Sequence, residues 1–338
     1  MLRTYVYIEW PGAPCACRCA HCLTSAGEWQ TTKVPYARAR RIADRFSVWA
    51  RETQNGVAIL HNVWPSCEVD TEVLRDVFRF SREQGEPLDV MLNGLRLRTR
   101  DQFQTFIAPL VADGLQSASL SFYGLRESHD RFAGRRGDFD YLQMMDAVVA
   151  ELGLLRHHHI LATKPTLHEL PELLAILNAT AGRVSSYASI YDYSGRATTR
   201  EDWLESSDLE RLPEELRSTI NTERHKAEAA WVEQILRGDI PAKRKLLYVL
   251  HVREESVDRL EQEPCEEILE RLRQRDEAAR AARPSLPAVA KRYGDRSSQR
   301  IYNLCGLERK WYASYYAEHA PERLAEWLNP NADRMRLE

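Results

Sequence analysis

The sequence contains no apolar stretch approaching about eighteen residues, so no membrane-crossing helix is expected. Its opening, "MLRTYVYIEW", has no basic segment followed by an apolar one, which excludes a signal peptide and points to the cytoplasm. Positive charge is not in excess: the formal net charge is −3, leaving no basic field to recruit nucleic acid or anionic lipid. There is no internal repeat, no low-complexity tract and no basic-aromatic stripe of the nucleic-acid-binding kind. A second cysteine pair or histidine pair at zinc-finger spacing is also missing.

What is present is an ordinary soluble composition, 43% apolar and 29% charged over 338 residues, enough for a large core. Of seven cysteines, four crowd into "CACRCAHC" (15–22), while Cys67, Cys265 and Cys305 stand alone. Disulfide frameworks serve small secreted chains that cannot build a core. A long chain without a signal favours metal or redox chemistry at this loop instead. A local zinc loop completed by Cys17 or His21 is one reading, and an iron–sulfur site is the other.

Up to about residue 195, short apolar runs alternate with amphipathic stretches. Strands are expected at 4–10, 56–63, 88–94, 117–124, 157–164 and 184–195. Helices are expected at 35–54, 71–84, 100–114, 138–153 and 168–180. Strands separated by helices of this length imply parallel pairing through right-handed crossovers. The fold class is therefore α/β, a partial (β/α)6 TIM-like barrel, because six steps suit an open barrel better than a closed one of eight. Such sheets carry their chemistry at the carboxyl ends of the strands, and the cysteine loop follows the first strand directly.

Residues 1–199 form the expected barrel core, and residues 200–338 a mostly helical region covering or flanking the mouth. Within the latter, "LLYVLHV" (246–252) reads as a single strand and 266–283 as a charged amphipathic helix with a solvated face. The aromatic-rich stretch 301–320 is suited to packing over the mouth. In "HHH" (157–159), strand alternation puts His157 and His159 on one face and His158 on the other. They are read as strand residues.

The spacing Cys15-x3-Cys19-x2-Cys22 after a first strand resembles the hallmark of the radical S-adenosylmethionine (radical SAM) superfamily. Further resemblance spans residues 1 to about 197. "NVWPSCEVD" (62–70) stands where the family has a GGEP stretch, with Asn62, Val63 and Trp64 replacing Gly, Gly and Glu. "MLNGLRL" (91–97), "SLSFYGLRESHDRFAGRRGDF" (119–139), "LATKPTLHELPEL" (161–173) and "YSGRA" (193–197) are similar to the later strand blocks.

The resemblance implies that Cys15, Cys19 and Cys22 ligate three irons of a [4Fe–4S] cluster. The fourth iron then chelates S-adenosylmethionine, whose reductive cleavage yields a 5′-deoxyadenosyl radical. Cys17 is the odd thiol, a bystander or a substitute ligand. His21 would neighbour the adenine. Asn62 and Trp64 would offer backbone groups to the methionine moiety, with the Trp64 ring either stacking or closing the pocket floor. Ser121 is a candidate for a ribose or carboxylate hydrogen bond. Lys164 would pair with the methionine carboxylate or stand as a surface lysine.

Cys67 and Cys305 are candidates for donating a hydrogen atom to a substrate radical, or are structural thiols. No Cys-rich auxiliary-cluster (SPASM-type) extension is recognisable, because only two cysteines follow residue 200. That, with no evident leader-binding wing before residue 4, favours a small-molecule tailoring enzyme over a maturase of ribosomal peptides. A non-catalytic zinc scaffold is the alternative from another class. A flavodoxin or ferredoxin would supply electrons.

Overall fold

A computed structural model describes residues 3–28, 31–241, 245–329 and 334–337. The first half alternates as expected: β1 (Arg3–Trp10), α1 (Tyr36–Thr53), β2 (Val57–Val63), α2 (Thr71–Glu83), β3 (Asp89–Met91), α3 (Arg100–Ala112), β4 (Ser117–Phe122), α4 (Arg126–Ala133), α5 (Asp138–Glu151), β5 (Leu155–Leu161), α6 (Leu170–Asn178) and β6 (Val184–Ser189). The second half adds α7 (Glu214–Arg217), β7 (His225–Ala227), α8 (Glu228–Leu236), β8 (Lys245–His251), α9 (Val257–Gln262), α10 (Cys265–Ala281), α11 (Leu286–Tyr293), β9 (Ile301–Asn303), α12 (Leu304–His319), α13 (Pro321–Leu328) and β10 (Arg334–Leu337).

The strands form two four-stranded sheets and one ribbon. In the first sheet, β8, β1 and β2 run parallel and β10 adds antiparallel to β8. In the second, β3, β4, β5 and β6 are all parallel and in chain order. β7 and β9 pair as a short antiparallel ribbon. The single strand expected after residue 200 is β8, and it joins the edge of β1 in register from Arg3↔Lys245 to Glu9↔His251. The strand that leads into the cysteine loop is thus flanked by β2 on one side and a late segment on the other.

Each sheet buries one face under helices. Val6, Ile8 and Trp10 of β1 pack with Ile42 and Phe46 of α1 and with Leu260 and Ile268 beyond. In the second sheet Val90, Leu120, Phe122 and Ile160 pack with Phe103, Ile107 and Met145 of the covering helices. Strand alternation turns the intervening residues to the opposite, inner face. There the second sheet presents Asp89, Ser117, Ser119, His157, His159 and Tyr187, which line a cavity of about 1070 Å³. His158 faces the helices, buried against Asp146, which also takes Arg156 Nη1 at 2.7 Å.

Several elements differ from the sequence reading: β5 runs Leu155–Leu161 instead of 157–164, and β7, β9 and β10 were not expected. β3 stops at Met91 because Gly94, at φ +84°, turns the chain. Its pairing is nevertheless prolonged: the Asn93 side chain accepts from Ser121 N–H at 2.6 Å and donates to Ser121 C=O at 3.0 Å, imitating a ladder step. β6 ends at Ser189, short of the expected 195. α4 was not expected; it lies inside the block first read as strand and loop and closes on Gly134.

Candidate functional site

The cysteine loop crosses the carboxyl ends of the parallel strands and is pinned by backbone bonds. Ala16 N–H donates to Gly94 C=O at 2.9 Å, Arg18 N–H to Ala133 C=O at 2.8 Å and Ala20 N–H to Phe132 C=O at 2.7 Å. Arg196 N–H reaches Cys22 C=O at 2.9 Å. The loop also lies so close to three glycines that side chains there would collide with it: Gly94 against Cys15 Sγ, Gly134 against Arg18 C=O, and Gly195 against Cys22 C=O. These glycines belong to the "LNG", "AGRRG" and "YSG" stretches, so three separate strand blocks contribute to one cradle.

Within the cradle the four thiols have different surroundings. Cys15 and Cys22 are half-buried, with Cys22 Sγ 3.8 Å from Thr24 Oγ1. Cys19 Sγ lies 3.8 Å from the Tyr123 hydroxyl at the end of β4. Cys17 is buried and turned toward Asp138, with Sγ 3.7 Å from Oδ2. Asp138 also receives His129 Nε2 at 3.1 Å and Arg135 Nε at 3.1 Å, while His129 Nδ1 accepts from Tyr123 N–H at 3.1 Å. Burial pushes the Asp138 carboxyl up, but the His129 hydrogen bond and the Arg135 charge outweigh it and hold it below the usual range. The result is an anion, tied to a histidine and an arginine, beside Cys17, whose thiol also lies against the Cys15 and Cys19 thiols.

His21 is boxed by rings: Tyr123 at 4.8 Å, Phe132 at 5.9 Å and Tyr191 at 6.2 Å between centroids. Burial, with the Arg200 charge nearby, pushes its imidazole down to about 4, so it is neutral near pH 7. Its Nδ1 is buried with no hydrogen-bond partner, and so is Trp64 Nε1. Arg45 Nε, His61 Nε2, Tyr141 OH and Arg156 Nε are likewise buried without a partner elsewhere in the fold. Trp64 N–H itself bonds Trp10 C=O at 2.9 Å.

Asn62 sits beside Glu9 in the β1–β2 register, and Glu9 carries a buried contact to His251 Nδ1 of β8 at 3.1 Å. Ser121 is aligned with His159 and bridged to Asn93. Lys164 lies apart from this group in an ion pair with Glu205 at 2.6 Å, both about 38% exposed. Cys67 packs beside the core under the second sheet, and burial pushes its thiol up to about 12. Cys305 is exposed at the first turn of α12.

The structure therefore holds Cys15, Cys19, Cys22 and His21 on one loop cradled by Gly94, Gly134 and Gly195, while Trp64 and Cys67 follow β2, Lys164 follows β5 and Cys305 lies on α12. α12 does reach the mouth: Arg309 Nη1 donates to Tyr193 C=O at 3.1 Å, and Trp311 and Leu307 join Tyr123, Phe132 and Tyr191 in one apolar cluster. The sequence reading missed Asn93, His129, Asp138, Glu9 and His251. The "HD" and "GDF" segments of the fourth-strand block carried the signal for His129 and Asp138, but only folding shows that they meet.

A structural zinc ion needs four ligands at about 2.0–2.3 Å. Among the described residues, no three His, Cys, Asp or Glu side chains are grouped so as to share one ion. Cys15, Cys19 and Cys22 supply three thiols from one loop, the donor type and number that a cluster with one open iron takes. No described helix is long and apolar enough to cross a membrane.

No protein-family model matches the chain, and neither does any curated protein sequence. Among solved structures the chain is similar to SuiB from Streptococcus suis bound to S-adenosylmethionine, at 14% identity and a TM-score of 0.46 over 74% of this chain and 50% of SuiB. SuiB bound to its precursor peptide SuiA gives 14% identity and a TM-score of 0.44 over 74% and 49%. HemN from Escherichia coli, described as a coproporphyrinogen III oxidase and radical SAM enzyme, gives 13% identity and a TM-score of 0.37 over 65% and 48%. The chain spans about half the length of these proteins.

Proposed function

We propose that the chain is a radical SAM enzyme acting on a small polar molecule. The observation that carries the reading is the CxxxCxxC loop at the carboxyl end of β1, closed into a glycine cradle beside two unpartnered buried polar atoms. Cys15, Cys19 and Cys22 would hold a [4Fe–4S] cluster with one iron open to S-adenosylmethionine. When bound, that pair supplies a 5′-deoxyadenosyl radical able to abstract a hydrogen atom.

The chain's own residues position and shield. His21 and its ring box would face the adenine, with Nδ1 free to accept or donate. Trp64 Nε1 would donate to a polar atom of the methionine moiety. Ser121 would lie on the same inner face, below the loop. Lys164 would have to exchange its ion pair with Glu205 to meet the methionine carboxylate, and otherwise stands as a strand-end lysine. Cys17, held by Asp138, keeps the loop seated.

The cavity on the inner face of β3 to β6 is the substrate bed. Its volume, about 1070 Å³, is at the upper end of small-ligand pockets. A flavodoxin- or ferredoxin-class protein would deliver single electrons in a reducing cytoplasm.

Anaerobic reconstitution tests this. A brown protein with about four iron and four sulfide per chain, forming 5′-deoxyadenosine with S-adenosylmethionine and a strong reductant, is the expected result. The triple Cys15/Cys19/Cys22→Ala variant should lose both. A colourless protein retaining tightly held zinc would overturn the reading.

A further inference from the structure

The cavity has an organised inner face. At its lower end Asp89 is clamped by two hydroxyls, Ser117 Oγ to Oδ1 at 2.7 Å and Ser119 Oγ to Oδ2 at 3.0 Å. At its upper end the Tyr187 hydroxyl lies against the ring nitrogens of His159, 2.8 Å from Nδ1, with ring centroids 4.2 Å apart. His159 is aligned with Ser121 on one side and Tyr187 on the other. Ser121 is bonded to Asn93, and the next residue, Gly94, touches Cys15. Asn93, Ser121, His159 and Tyr187 thus follow one line of pairing across the second sheet, and the cysteine loop bonds the residue after Asn93 through Ala16 N–H to Gly94 C=O.

We propose that Tyr187, hydrogen-bonded to His159, is the lumen's hydrogen-atom donor and quenches carbon radicals formed above the cavity. The proposal rests on the radical SAM reading. It assigns to a phenol the role the sequence suggested for Cys67 or Cys305, neither of which lines the cavity.

The step balances as follows. The Tyr187 O–H bond breaks homolytically and a C–H bond forms on the substrate carbon, leaving Tyr187 as a neutral phenoxyl radical. One electron from a ferredoxin- or flavodoxin-class donor and one proton, relayed through His159 from water, restore the phenol. Burial holds Tyr187 above its ordinary value and His159 below its own, so near pH 7 the phenol keeps its proton and the imidazole is free to accept the hydrogen bond. The substrate carbon regains a hydrogen that comes from solvent through the exchangeable Tyr187 O–H. The net change is redox-neutral at the substrate, of the epimerising kind, with S-adenosylmethionine consumed.

A substrate-free assay tests this. In D2O, with reconstituted enzyme, S-adenosylmethionine and a strong reductant, the 5′-deoxyadenosyl radical has only the lumen to quench it. The 5′-deoxyadenosine formed should carry a single deuterium, and Tyr187→Phe should lose that label while still cleaving S-adenosylmethionine. Unlabelled product from the unaltered enzyme, or full label from Tyr187→Phe, overturns the proposal and leaves the radical SAM reading standing. No 5′-deoxyadenosine from the unaltered enzyme overturns both. In the cluster-free protein, Tyr187→Phe should shift the His159 ring ¹⁵N resonances, and unchanged resonances would show that the pair does not exist in solution.

Discussion

Gly94→Ala is the substitution that separates the cradle from the general stability of the fold. Gly94 adopts φ +84°, and a Cβ added there falls on Cys15 Sγ, well inside the 3.4 Å at which ordinary contact begins. Two effects combine. The left-handed backbone costs an alanine about 1–2 kcal/mol, which for a chain of this length lowers Tm by roughly 2 °C. The collision adds a local demand: either Cys15 swings away or the Ala16 N–H to Gly94 C=O bond breaks. Both outcomes displace a predicted iron ligand.

Gly85→Ala is the control. Gly85 has φ +74°, and an added Cβ there meets nothing within 4 Å. Its backbone cost is alike, and it lies far from the loop in sequence. The assay is iron and sulfide content after anaerobic reconstitution, beside thermal unfolding of the cluster-free protein. Both variants should lose a similar couple of degrees, and only Gly94→Ala should lose most of its iron. A Gly94→Ala protein that binds iron as well as the unaltered chain would refute the cradle.

Two further outcomes follow from buried charge. Asp146→Ala leaves the buried Arg156 guanidinium without its carboxylate. That should cost about 3–5 kcal/mol, read as a fall in Tm of roughly 4–7 °C. Glu68 accepts from Arg98 Nη1 at 2.8 Å and Arg96 N–H at 2.7 Å. Burial pushes its carboxyl up, but these donors outweigh that and hold it below the ordinary 4.5. A lowered carboxylate stabilises the fold above 4.5, and the contribution fades as pH falls through the lowered value. Glu68→Gln should therefore cost about 1 kcal/mol near neutrality, measured by urea unfolding. That gap should close as the pH falls from 4.5 through the lowered value, and a constant gap would refute the assignment.

The periodic parts of the fold were legible because period and burial agree. α1, α2, α3 and α5 each lie within three residues of the expected bounds. Their apolar stripes answer to single sheets, so local pattern suffices. What was not legible depended on meetings between distant segments. The side chain of Asn93 takes over β-ladder bonds that no propensity encodes. β8 reads like any apolar run, and nothing local says that its partner is β1.

The site divides in the same way. The CxxxCxxC spacing marks the loop, because three ligands close in sequence are close in space whatever the fold. Lys164 could not be placed in advance, since its neighbour Glu205 comes from a separate turn of chain. Cys17 likewise becomes interpretable only once Asp138 is seen behind it.

The pairing of β1 with β8 sets a schedule for the nascent protein. The four loop thiols leave the ribosome well before one neighbour of their supporting strand, which begins at Lys245, and before the aromatic wall of α12, which runs to His319. At about 5–20 residues per second of synthesis, the thiols wait on the order of ten seconds or more with their enclosure unfinished. Metal delivered during that interval would meet a loop whose supporting strand is paired with β2 but not yet with β8. A cell making this protein under oxygen should therefore lose thiols mainly before the chain is released, and slower translation should lower the fraction competent to accept iron.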